Sequence, residues 1–165
     1  MGDCDRMTGS CELGGGLGTA EIEWRGAFTN AEIETLHAEG FDRQPVQGFD
    51  WQVQLDSHSL DWVCARHDGR LVGFVNVVWD GSSHAFILDT VVAHTHRLRG
   101  LGSELIAIAS REAQAAGCEW LHVDFEDHLR RFYFHGCGFS ATNAGLLRLS
   151  GEQGPQNAAG SASGS

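Results

Sequence analysis

Arg97-Leu98-Arg99-Gly100-Leu101-Gly102 lies between an apolar run and a long helical pattern, and its residue types suit an anion. The glycines let backbone approach a ligand closely, and amides at a helix start carry partial positive charge that matches a pyrophosphate. Without a ligand the same residues would make an ordinary tight strand-to-helix turn; the two arginines beside it favour the anion. A phosphate-binding P-loop would end in Gly-Lys-Ser/Thr, and a dinucleotide fingerprint needs a third glycine and an acidic residue about 20 positions on. Neither spacing is met.

The segment resembles the GNAT superfamily of N-acetyltransferases, whose Arg/Gln-x-x-Gly-x-Gly/Ala motif follows a strand. Arg97, Gly100 and Gly102 occupy the motif positions; Leu98, Arg99, Leu101 and Ser103 complete the turn. Val91-Val92 fall where that family's strand pairs with the pantetheine arm of coenzyme A. One helix and one strand further on, Phe132-Tyr133-Phe134-His135-Gly136-Cys137-Gly138-Phe139 is similar to the family's Phe-Tyr-x-x-x-Gly-Phe segment. Two motifs in this order are far more specific than either alone. The position seven before Tyr133, often Asn in the family, is Glu126. The resemblance implies an α/β fold with a mixed, mostly antiparallel sheet flanked by helices. It also implies acetyl-CoA as acyl-donor cosubstrate, no metal, and acetylation of an amine on a small molecule or peptide by a monomer or homodimer. A non-catalytic acyl-CoA binding or sensing module is the alternative.

Amide formation from a thioester needs a neutral amine, a stabilised oxyanion and a protonated leaving thiolate. By resemblance Tyr133, the only tyrosine, is the general acid; otherwise it is a core aromatic. Asp89, leading into Val91-Val92, is the first choice of base, and otherwise a strand-edge carboxylate. Asp124 and Glu126, expected where the sheet opens around the acceptor, would bind or deprotonate a cationic amine. His122-x-Asp124 also matches two ligands of an iron facial triad. That chemistry usually sits in an all-β barrel, which the helical pattern of residues 103–116 opposes. Trp51 is expected at the acceptor wall, whereas Trp62 on its strand reads as core.

The elements that would position these groups are legible from pattern. Thr29 and Glu32 form a capping box before Ile33 and Leu36, with Gly40 as the stop, predicting a helix over 30–39. A shorter helical segment is predicted over 49–55. Asp68-Gly69 joins two strand-like runs as a hairpin, and a turn over 80–83 leads to a third strand over 84–92. A helix after Gly102, a strand over 120–124, a helix over 126–135 and a closing strand over 146–149 complete the expectation.

The chain's 165 residues, 42% of them hydrophobic, fit one domain over 19–150, with flexible segments at 1–18 and 151–165 where Gly, Ser and Ala dominate. Its 22 acidic residues outnumber 11 basic ones and there is no Lys, which argues against nucleic acid as a partner. No run approaches the roughly 20 apolar residues of a membrane span, and the first residues lack a secretory pattern, so a cytoplasmic protein with no membrane partner is expected. Five cysteines without a Cys-x-x-Cys pair predict free thiols.

Overall fold

The protein is described by a computed structural model over residues 19–149; the two end segments expected to be flexible lie outside the described residues. Strands β1 (Glu21–Trp24), β2 (Ser59–His67), β3 (Arg70–Trp79), β4 (His84–Val92) and β5 (Trp120–Val123) form one sheet in that order. All neighbours are antiparallel except β4 and β5, which run parallel. The β2–β3 turn puts both Asp68 and Gly69 at positive φ, the backbone twist that a two-residue hairpin needs. β1 has no counterpart among the predicted elements, although Glu21-Ile22-Glu23-Trp24 alternates exposed and half-buried as an edge strand should.

Helices α1 (Asn30–Gly40) and α2 (Trp51–His58) cover one face of the sheet, and α3 (Leu101–Ala115) the other. Alternation along β3 explains this: Phe74 packs toward Trp51 and Phe28, while neighbouring Gly73 leaves room for Leu101 and Leu105 of α3. The predicted capping box of α1 forms in both directions. Thr29 Oγ1 accepts from Glu32 N at 3.2 Å and Glu32 Oε2 accepts from Thr29 N at 2.8 Å. At its other end, a Cβ on Gly40 would lie 2.6 Å from Val91 Cγ1, so the glycine is what lets α1 settle onto β4. α2 starts two residues later than predicted because Asp50 caps it, accepting from Val53 N at 3.2 Å.

Two expectations are corrected. The predicted helix over 126–135 is instead a 3-10 turn, Asp127–Leu129, followed by a π-helical turn, Arg131–Gly136. Its wide pitch, with Cys137 N bonded to Phe132 O at 2.9 Å, lets Phe125 stack on Tyr133 at 4.6 Å while Phe132 points elsewhere. The predicted closing strand over 146–149 does not form, and Leu146, Leu147 and Leu149 are exposed. A strand is made by a neighbouring edge rather than by its own composition, and no edge lies alongside this run. Among the described residues no helix is long and apolar enough to cross a membrane, and the three described cysteines are free thiols.

Candidate active site

Two motifs distant in sequence meet at the start of α3. After β4 the chain makes a 3-10 turn, His94–His96, and Arg97 folds back so that its Nε donates to Val92 O at 3.0 Å. Leu98 and Gly100 then adopt positive φ of 60° and 86°, turning the backbone into α3. The first amides of α3 have no acceptor within the helix, and Gly100 offers no side chain to cap them. A Cβ on Gly102 would stand 3.2 Å from the Phe132 ring, so glycine here admits the π-helical turn. That turn carries Tyr133, 4% exposed, into a cluster with Phe125, Phe132 and Phe139. Burial pushes its phenol above the ordinary range, so it holds its proton. The nearby Thr90 hydroxyl opposes that rise.

On the other flank of β4 the register supplies a second feature. Phe74 pairs with Val91 and Asn76 with Leu88, so Asp89 and Thr90 both oppose the single residue Val75. This is a β-bulge, and Asp89 takes φ 51°, a conformation that Asp tolerates better than most residues. The bulge aims Asp89 at α1, where Oδ1 meets His37 Nε2 at 3.1 Å; Oδ2 accepts from Asn76 Nδ2 at 3.2 Å. Asn76 Oδ1 in turn accepts from Ser59 Oγ at 2.6 Å. Behind His37, Arg43 Nη2 bonds the ring's Nδ1 at 2.8 Å and Arg43 Nη1 pairs with Glu34 Oε1 at 2.6 Å. Glu34 also accepts from Trp51 Nε1 at 2.9 Å and Val46 N at 2.6 Å. The Arg43 bond, opposed by burial and helped by these two donors, holds its carboxyl down to about 2.

The parallel pairing of β4 with β5 runs only from His84↔Trp120 to Ile87↔Val123. Beyond it, among the described residues, no strand lies along the outer edge of β4 from Leu88 to Val92, where Val92 O accepts from Arg97 Nε. Of the predicted site residues, Val91, Val92, Arg97 and Leu98 to Ser103 lie together around this edge and the α3 start, with Phe132, next to Tyr133, packed against Gly102. Asp89 is adjacent to them in sequence but turned toward α1. Asp124 and Glu126 are exposed beyond the end of β5, Glu126 pairing with His128 at 3.3 Å, and neither bonds to the Asp89 group. Trp51 is 4% exposed behind His37, and Phe41, tilted against His37, and Phe49, edge-on to Trp51, present the open aromatic surface. His122 bonds His84 at 2.8 Å, and the described residues contain no group of three or more His, Cys, Asp or Glu placed to hold a metal ion. Sequence reasoning missed His37, Asn76, Arg43 and Glu34. The only signal was a polar residue, His37, next to buried Leu36 on α1.

The profile of the Acetyltransferase (GNAT) family matches residues 21–139. Over 64 residues the chain is 39% identical to a mycothiol acetyltransferase of Nocardia farcinica, a match covering 36% of this chain and 20% of that protein's length. An acetyltransferase of Trypanosoma brucei has a similar fold, with a TM-score of 0.66 at 22% identity, covering 79% of this chain and 99% of the other. An aminoglycoside acetyltransferase from an uncultured soil metagenomic sample, in complex with sisomicin, has a TM-score of 0.66 at 14% identity and covers 82% and 97%. Glucosamine-6-phosphate N-acetyltransferase from Arabidopsis thaliana has a TM-score of 0.60 at 15% identity and covers 78% and 97%.

Proposed function

The chain belongs to the acetyltransferase (GNAT) family, and on that footing we propose that it acetylates an amine of a small molecule or peptide with acetyl-CoA as donor. Bound, that donor supplies an activated acetyl thioester. The unpaired amides at the start of α3, with Arg97 and Arg99, would hold its pyrophosphate, and the open β4 edge at Val91 and Val92 its pantetheine arm. The uncapped amides at the α3 start, turned outward by the positive φ of Leu98 and Gly100, fit an anionic group there.

The observation that carries the reading is the bulge at Asp89 and Thr90, which sets the Asp89 carboxylate beside the open edge, with the Tyr133 phenol near Thr90. Asp89, with a side chain 23% exposed, receives the amine proton directly or through water. Tyr133, kept protonated by burial, gives its proton to the departing sulfur. Asp124 and Glu126, exposed past β5, draw the cationic amine toward the site, and Trp51 backs the wall that Phe41 and Phe49 present.

The test is a panel of amines with release of free coenzyme A as readout, alongside calorimetry with acetyl-CoA. Binding accompanied by turnover of at least one amine is the expected result. Binding with no turnover on a broad panel would favour the non-catalytic module instead.

A further inference from the structure

His37 invites assignment as the proton acceptor, since it is an imidazole beside a carboxylate. The geometry argues otherwise. A guanidinium only donates, so the 2.8 Å contact from Arg43 Nη2 makes Nδ1 of His37 an acceptor. In the neutral ring the proton therefore sits on Nε2, where it is donated to Asp89 Oδ1 at 3.1 Å. Both ring nitrogens are occupied, leaving none to take a proton from substrate. Arg43 is itself fixed by Glu34 through two contacts, Nη1–Oε1 at 2.6 Å and Nη2–Oε2 at 3.3 Å, and by donation to Gln44 O at 2.9 Å. Glu34 is fixed in turn by Trp51 and the Val46 amide. The ring is further clamped between Phe41 at 4.4 Å and Trp51 at 5.0 Å.

We propose that His37 is a positioning residue for Asp89: the Glu34–Arg43–His37 chain fixes the imidazole tautomer and orientation, and so fixes where the Asp89 carboxylate meets the acceptor amine. This rests on the reading of Asp89 as the proton acceptor. The bulge aims the Asp89 side chain at α1, and there its carboxylate is held by two donors, His37 and Asn76. The α1 helix and the loop after it thereby act on the acceptor reaction through Asp89.

The test combines wild-type spectroscopy with three variants at His37. Nitrogen-15 NMR of the neutral imidazole in the wild-type protein should show the proton on Nε2; a majority carrying it on Nδ1 would overturn the proposal without any mutation. His37→Phe keeps the ring stack and removes both nitrogens. Losing a hydrogen bond to a charged group should lower kcat about 10- to 100-fold, with KM for acetyl-CoA unchanged. His37→Gln places an amide donor near the Nε2 position and should recover most of that loss, whereas His37→Asn, which reaches only the Nδ1 position, should not. Equal rates for Gln and Asn, or full kcat in His37→Phe, would sink the positioning role. Asp89→Asn run in parallel separates the two ideas. If it retains full turnover the reading of Asp89 is wrong, whereas its collapse beside an unimpaired His37→Phe overturns only the role of His37.

Discussion

The two flanks of β4 solve their chemical tasks with different parts of the residue. On the α1 flank the polar groups are side chains bonded to side chains: Asp89 to His37 and Asn76, His37 to Arg43, Arg43 to Glu34. At the α3 start the groups presented are backbone amides, shaped by positive φ at Leu98 and Gly100 and by the close approach of Phe132 to Gly102. One region depends on which atoms a side chain carries, the other on which conformations the chain can adopt. Sensitivity to mutation should divide the same way.

The largest effect is expected where a side chain does the chemistry. Tyr133→Phe keeps the ring in its aromatic cluster and removes only the hydroxyl, so turnover on a confirmed amine should fall about 10²- to 10⁴-fold, with KM for acetyl-CoA little changed. Wild-type turnover in this variant would remove the phenol from the mechanism and leave positioning and amide electrostatics to carry it. At the backbone-built site the sensitive residue is a glycine. Gly100→Val puts a β-branched residue at φ 86°, and calorimetry should show acetyl-CoA binding weakened about tenfold or more in a protein that still folds.

By contrast Arg99→Ala, which removes a charge but leaves the amides in place, should cost only a few-fold, about 1 kcal/mol or less, and the loss should shrink at high salt. If Arg99→Ala weakened binding as much as Gly100→Val, the anion site would be built from side chains and the contrast would fail. A smaller effect should appear in stability. Glu32 and Glu34 both have carboxyls held down to about 2, each chiefly by an arginine, Arg66 and Arg43. A depressed carboxyl stabilises the folded state above its unfolded value of 4.5, and that contribution is lost as pH falls toward about 2. The melting temperature should therefore fall most steeply in that window, and less steeply in Glu34→Gln.

The contrast also explains what could be read in advance. The α3 turn and the Phe132 to Phe139 segment are short-range devices, and glycines, arginines and aromatics announce them in sequence. So does the Thr29–Glu32 capping box, whose partners are three residues apart. The bulge at Asp89 is invisible in β4 alone, because it exists only as a mismatch with β3. The His37–Asp89 bond joins residues 52 apart, and Trp51–Glu34 residues 17 apart, through the packing of α1 and α2 onto the sheet. Strand content shows the same limit in both directions: β1 is four residues whose alternation becomes a strand only by pairing with β2, and the run over 146–149 is apolar but pairs with no strand among the described residues.

The π-helical turn at Arg131–Gly136 has a consequence for how this segment tolerates change in length. Such a turn is equivalent to an α-helix carrying one surplus residue, and each residue in a regular helix advances the side chain by about 100° around the axis. Deleting a single residue here would restore ordinary pitch and leave hydrophobicity almost untouched. It would also rotate the residues that follow, Phe139 among them, out of phase with Tyr133 while Phe132 kept its seat on Gly102. The surplus residue thus acts as a phase setting, and drift by insertion or deletion at this point would retain the fold and lose the alignment.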